Sequence, residues 1–355
     1  MRGLIALAAL ALAWGAPAAA DTLIDNVKGL TATPFGQVIH FSALLIGDDG
    51  KVVRTYAEGE KVDVRARYRV DGRGRFLTPG RIVGYKAESH LIKMGLRLLA
   101  RSKGLTGPLP PIGPHDRDLA LAVAEEELRS RGITTIADMG TSVEDWLAYR
   151  RAGDTGRLNI RILSYVDGIA PMIAIAGGQE SKWLYNDRLY MAGVLINGRM
   201  PNSNSPIAIK NDEARLRNEI SRSGMDGQRV AIEISDSPKY DIERSRAEAA
   251  IRELHSTYRP SGTRSLFHIF HPPNAPEKLP IFVENDDFEL DDMLIEDRLG
   301  KLERGFPADF AISLVEPWKM VPSKTDSTAF HMEVAESDNV LETWVGGVKV
   351  YERKP

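Results

Sequence analysis

The sequence has no cysteine among its 355 residues. Disulfides and thiolate metal ligands are therefore excluded, and any metal site must use His, Asp, Glu or a modified Lys. It also lacks an excess of one charge. The 46 Lys and Arg stand against 49 Asp and Glu, a net of −3. That balance gives no electrostatic case for nucleic acid or for an anionic membrane as a partner. After the first twenty residues there is no long uncharged apolar run, so no later segment is a candidate to span a bilayer. Internal repeats and low-complexity tracts are missing too, and the scattered Trp and Tyr residues read as core and rim positions.

What is present begins at the N-terminus. Arg2 precedes an apolar run from Leu4 to Trp14, followed by Ala18-Ala19-Ala20. These are the three regions of a secretory signal, with cleavage expected after Ala20. The apolar run is too short to span a bilayer comfortably. The mature chain is thus expected to be exported, secreted or held in a bacterial periplasm, with no membrane span once the leader is removed. The missing cysteines suit that compartment.

Both ends of the mature chain read as β structure. Residues 38–56 form two β-rich runs joined at Asp48-Asp49-Gly50, a hairpin signal. Residues 68–80 add short strands with Gly turns, ending at Pro79-Gly80. Near the C-terminus, 308–314 is a strand and 340–354 a hairpin turning at Gly346-Gly347. The middle alternates. Helical spacing over 117–132 ends at Gly132, and a buried strand follows over 133–140. Thr141 and Glu144 offer a capping box for the next helix, with Asp138 as a further cap. Strands over 159–168, 191–198, 229–236 and 265–271 are separated by helices that include 214–224 and 240–258. Such alternation gives parallel βα units. Five strands fall short of the eight in a closed (β/α)₈ barrel. The expectation is an α/β chain: a leader over 1–20, a reduced or distorted TIM-like barrel over 81–298, and a small β-sandwich built from 21–80 with 299–355. Residues 104–114 read as a Pro/Gly-rich linker and 283–297 as a solvated acidic stretch. An open parallel sheet leaves unpaired edges, so the expectation is either a homo-oligomer whose protomers cover them or a marginally stable chain.

The run SLFHIFHPP (265–273) carries two histidines three apart. Strand side chains alternate faces, so His268 and His271 cannot both grip one ion while the strand stays regular. His271, at the strand end where α/β sites are built, is the candidate, and His268 is read as packing.

Three segments together resemble the amidohydrolase superfamily: YRVDGRGRFLTPG (68–80), LGKLERGFPADFAISL (299–314) and VLETWVGGVKVYE (340–352). Residues 131–165 resemble its amidohydrolase-3 branch. The resemblance implies a barrel with a β domain. It also implies a divalent metal, usually zinc, that lowers the pKa of a bound water and polarises a carbonyl for hydrolysis of a C–N bond. The implied substrate is a small amide or cyclic amide. The ligand positions depart from the family's pattern. Tyr85 and Ala87 stand where a His-x-His pair belongs, and His90 follows alone. Leu195 stands where the bridging Lys belongs, with Lys86 and Lys93 as substitutes from elsewhere. Glu233 replaces one His, His271 keeps another, and no strand between 272 and 298 supplies the Asp, although Asp286, Asp287, Asp291 and Asp292 lie there. The implied metal set is His271 and Glu233, with His90 as a third ligand if the loop after Gly80 folds back. Two protein ligands are fewer than a catalytic zinc holds. The resemblance thus carries two readings: a metal-dependent C–N hydrolase with an incomplete, impaired centre, or a non-catalytic homologue that is a binding protein or a drifted remnant. Asp138 and Glu233, both at strand ends, are also read as a possible acid/base pair.

Overall fold

The computed structural model describes residues 20–32, 38–85, 90–104, 112–177, 182–226, 228–234, 239–258, 267–270, 299–322, 330–334 and 339–354. Most of the expected leader, the linker at 105–111, His271 and the acidic stretch lie outside these residues. Among the described residues no helix is long and apolar enough to cross a membrane.

The chain opens with β1 (Ala20–Ala32), β2 (Val38–Phe41), β3 (Ala43–Gly47), β4 (Val52–Tyr56) and β5 (Ala66–Pro79). The hairpin at Asp48-Asp49-Gly50 joins β3 to β4, with Gly50 at φ 73° and its N–H donating to the Gly47 carbonyl at 3.1 Å. The glycines at 72 and 74 do not turn the chain as expected. They lie in a bulge inside one fourteen-residue strand. There the β1–β5 pairing shifts register between Asp25 and Val27, and Asn26 Nδ2 donates to Asp71 Oδ1 at 2.8 Å. A bulge absorbs extra residues without ending the ladder.

A second sheet begins one residue later. Gly80 separates β5 from β6 (Arg81–Tyr85), and a Cβ at Gly80 would sit 2.2 Å from the Thr134 side chain. The chain continues through α1 (Leu91–Ser102), α2 (Pro114–Ser130), β7 (Ile133–Thr141), α3 (Val143–Asp154), β8 (Arg161–Asp167), α4 (Ile169–Ala176) and β9 (Leu189–Asn197). It then runs through α5 (Pro206–Met225), β10 (Arg229–Glu233), α6 (Tyr240–Tyr258) and β11 (Phe267–Phe270). Strands β6 to β11 pair in chain order and all in parallel, giving a curled half-barrel of six strands rather than five.

Both faces of this sheet are apolar, as a parallel sheet requires. Alternate residues such as Ile136, Ile162, Val194 and Ile232 meet the helices. The intervening set, including Met139, Leu163, Leu195 and Ala231, lines the concave face with Leu299. Each large aliphatic side chain buried this way contributes about 1.5–3 kcal/mol.

The chain returns through β12 (Phe310–Ser313), the hairpin β13 (Trp318–Pro322) and β14 (Phe330–Val334), then β15 (Val340–Val345) and β16 (Val348–Glu352). Strand β12 pairs antiparallel with β5, so both ends of the chain share one eight-stranded sheet. Its order is β16-β15-β12-β5-β1-β3-β4, with β2 on β1. Gly346 and Gly347 (φ 58° and 72°) turn β15 into β16 at the expected place.

A buried ion pair ties the two sheets together. Arg161, at the start of β8, donates to both carboxylate oxygens of Asp309 at 2.6 and 2.9 Å, and their side chains are 2% and 6% exposed. Arg161 also donates to the Asp187 carbonyl at 2.5 Å, and Asp309 accepts from the Gly346 N–H at 2.7 Å. Close by, Arg188 donates to the Val345 carbonyl at 3.1 Å and Thr343 to the Arg129 carbonyl at 2.6 Å.

Candidate functional site

In a parallel α/β sheet the site forms at the carboxyl ends of the strands. Here those ends present Asp167 from β8, Asn197 from β9 and Glu233 from β10, with Asn197 and Glu233 side by side in register. Glu233 has the strand parity of Ala231, which lines the concave face, so its side chain belongs to that side. On β11, His268 is in register with Ala231 and Phe270 with Glu233.

Glu233 is held by a guanidinium. Arg199 Nη2 donates to Glu233 Oε1, with side-chain exposures of 35% and 10%. The loop after β9 builds this contact. Gly198 N–H donates to the Glu233 carbonyl at 2.7 Å, and Arg199 N–H donates to Asn197 Oδ1 at 3.0 Å. At Gly198 a Cβ would sit 2.7 Å from Ile232 Cγ2, so the close approach of loop and strand needs a glycine.

His90 immediately precedes α1 and is 8% exposed. His90 lies at the end of β7: its ring is so close to Gly140 that a Cβ there would fall 2.3 Å from Cε1. Gly140 itself has φ 94°, a left-handed conformation that favours glycine. His90 Nδ1 is buried without a hydrogen-bond partner. Leu195, where the resemblance places a lysine, is buried in the concave apolar cluster, and Lys93 is exposed on α1. Lys86 and His271 lie outside the described residues.

Asp138 has a structural place that the sequence reading missed. It lies on the helix-facing side with Ile136 and is fully buried. Its carboxylate accepts from the Leu91 N–H at 2.9 Å, the Thr141 hydroxyl at 2.7 Å and the Tyr149 hydroxyl at 2.7 Å. Ser164 extends the chain by donating to Thr141 at 2.7 Å. Asp138 thus caps α1, not α3. The capping box of α3 is Ser142 with Asp145, one residue later than expected, because the Thr141 hydroxyl is engaged by Asp138. An acid/base pair of Asp138 with Glu233 is also corrected, since the two carboxylates lie on opposite faces of the sheet. Burial, and then the Asp138 charge, push the Tyr149 phenol well above its usual range, so it stays a donor.

Burial pulls the His90 imidazole below its ordinary 6.5, and the Asp138 charge opposes this only in part. An unfolded chain therefore takes up this proton before the folded one does. Stability contributed here is fully present above the unfolded pKa and falls as pH drops below it. Acidification from neutral pH is expected to lower the denaturation midpoint. A His90→Gln variant should flatten that slope, and an unchanged slope would remove His90 as its source.

Among the described residues, no three His, Asp or Glu side chains gather to hold a metal ion. The signal for Arg199 was not legible in sequence, because it meets Glu233 across 34 positions and a turn.

No protein-family model matches the sequence, and no curated protein matches it significantly. Solved structures share its fold. An uncharacterised metal-dependent hydrolase from Pyrococcus furiosus is 14% identical, with a TM-score of 0.56 over 83% of this chain and 99% of that one. A second, from Pyrococcus horikoshii, is 15% identical, with a TM-score of 0.56 over 83% and 98%. An adenosine deaminase from Xanthomonas campestris, with bound zinc, is 13% identical, with a TM-score of 0.52 over 94% and 93%. What this chain shares with these structures is a mixed α/β fold, present here with a curled parallel half-barrel. At these identities the likeness is one of fold.

Proposed function

We propose that the chain descends from metal-dependent hydrolases of the amidohydrolase superfamily, in a branch like amidohydrolase-3. Its strand-end centre is remodelled, so that hydrolysis of amide or cyclic amide C–N bonds is impaired. The observation that carries this is the Arg199 guanidinium on Glu233. Of the ligand set implied by the resemblance, His271 and Glu233 would hold zinc, with His90 as the third. The described members do not fit that role: Glu233 is engaged by a cation, and His90 lies against Gly140 on the side of β7. We therefore assign no catalytic step to a metal. The same pair favours a second reading, in which a non-catalytic homologue binds an amide-type small molecule at the concave mouth. With either reading go an N-terminal secretory leader over 1–20, export to a bacterial periplasm or beyond, a terminal sheet that forms a small β-sandwich domain, and self-association.

Elemental analysis of the purified chain and of His271→Ala, run beside an amide-hydrolysis screen, tests the proposal. Substoichiometric zinc and hydrolysis near background are expected. About one zinc per chain, lost in the variant and accompanied by turnover, would mean a working centre and overturn the impaired reading.

A further inference from the structure

Resting on the reading above, which places Glu233 at a ligand position, we infer that Arg199 is the resident cation of this centre. Its guanidinium occupies the place beside Glu233 that a divalent metal would take, and it keeps metal off that carboxylate.

The loop that carries Arg199 is fixed at three successive backbone N–H groups. Gly198 donates to the Glu233 carbonyl at 2.7 Å, Arg199 to Asn197 Oδ1 at 3.0 Å, and Met200 to Glu243 Oε1 at 2.6 Å. Glu243 is itself fully buried on α6. The backbone that carries the guanidinium is therefore pinned to β9, β10 and α6, which places the Arg199 side chain within reach of Glu233. Arg199 Nε is buried with no acceptor. An orphaned donor of this kind is tolerated when a stronger contact of the same group fixes the geometry, and here that contact is the charge-assisted bond to Glu233.

Electrostatics then decides the occupant. A guanidinium stays protonated at any working pH. A divalent ion bound to Glu233 would sit within a few ångströms of that fixed positive charge, and the repulsion is twice that between two unit charges. Binding metal would require either that repulsion or the loss of the Arg199–Glu233 ion pair. Arg199 already supplies Glu233 with one counter-charge.

The test is zinc titration of the full-length chain by calorimetry, comparing wild type with Glu233→Gln, Arg199→Gln, Arg199→Lys and the double variant Arg199→Gln/Glu233→Gln. Arg199→Gln removes the charge but keeps a donor for Glu233, and circular dichroism melts confirm folding. Zinc affinity of the wild type is expected to be unchanged by Glu233→Gln. Arg199→Gln should tighten zinc binding by about tenfold or more. That gain should vanish in the double variant and be absent in Arg199→Lys, which retains the cation. The inference is overturned if Glu233→Gln weakens zinc binding of the wild type by about tenfold, or if folded Arg199→Gln shows no gain. If Arg199→Gln does not fold, the Glu233→Gln comparison still decides, because a carboxylate already holding zinc must show its loss. Stoichiometric zinc that depends on His271 but not on Glu233, with turnover, would defeat the impaired-centre reading while leaving this inference standing.

Discussion

Replacing Arg161 with methionine is expected to destabilise the protein by about 3–5 kcal/mol, because the change leaves Asp309 as a buried charge without its partner. That is a large part of the 5–15 kcal/mol or so by which a domain is usually stable. Burial alone would lower the Arg161 pKa, but the Asp309 charge and hydrogen bonds more than offset it, so the guanidinium is held above its ordinary value. Asp309→Leu should cost a similar amount, since it strands Arg161 and also the Gly346 N–H. The double variant should be better than either single one, because no buried charge remains unpaired. Recovery will be incomplete, since the Asp187 carbonyl and Gly346 N–H each lose a bond worth about 1 kcal/mol. Urea denaturation at neutral pH measures all three. Single variants that lose less than about 1 kcal/mol would mean that the pair does not tie the sheets together.

Asp138→Ala carries the second large effect, an expected loss of about 3–5 kcal/mol. Three donors, the Leu91 N–H and the Thr141 and Tyr149 hydroxyls, lose a charged acceptor. Each such bond is worth about 1.5–3 kcal/mol, and the three share one group and so do not sum. Asp138→Asn should cost less, about 1–2 kcal/mol, because its carbonyl still accepts and both hydroxyls can rotate to accept from its amide. The first turn of α1 should fray in the alanine variant. Backbone amide exchange at Leu91 and its neighbours would then rise. Exchange no faster than in the wild type would show that Asp138 does not cap that helix.

The elements legible in the sequence were those whose signal is local. Asp48-Asp49-Gly50 and Gly346-Gly347 name their turns because positive φ needs particular residues. The strands β7 to β10 announce themselves as apolar runs, and those other than β8 are followed by helical spacing. Strand β6 was missed because only Ile82 and Val83 lie between Arg81 and Gly84. Helix α4 was missed because Ile169–Ala176 has no polar face to give it a period. At the candidate site, Glu233 was legible as a strand end. What it touches was not, since Arg199 reaches it through a turn, and Asp138 was assigned to the wrong helix because its partner Leu91 lies 47 positions away. Pairings of that kind follow from tertiary placement and leave no local pattern.

The eight-stranded sheet also sets an order of assembly. Strands β1 to β5 are made first, yet β5 gains its second neighbour only when β12 arrives, with the whole half-barrel synthesised in between. Until then β5 is an open edge able to pair with a strand from another chain. Such long-range pairing is slow to form. A chain that stops before Asp309 would keep its parallel strands but lose the cover of β5 and the carboxylate that meets Arg161. The C-terminal strands thus act as a completion check: an unfinished chain is left sticky, and only a finished one closes.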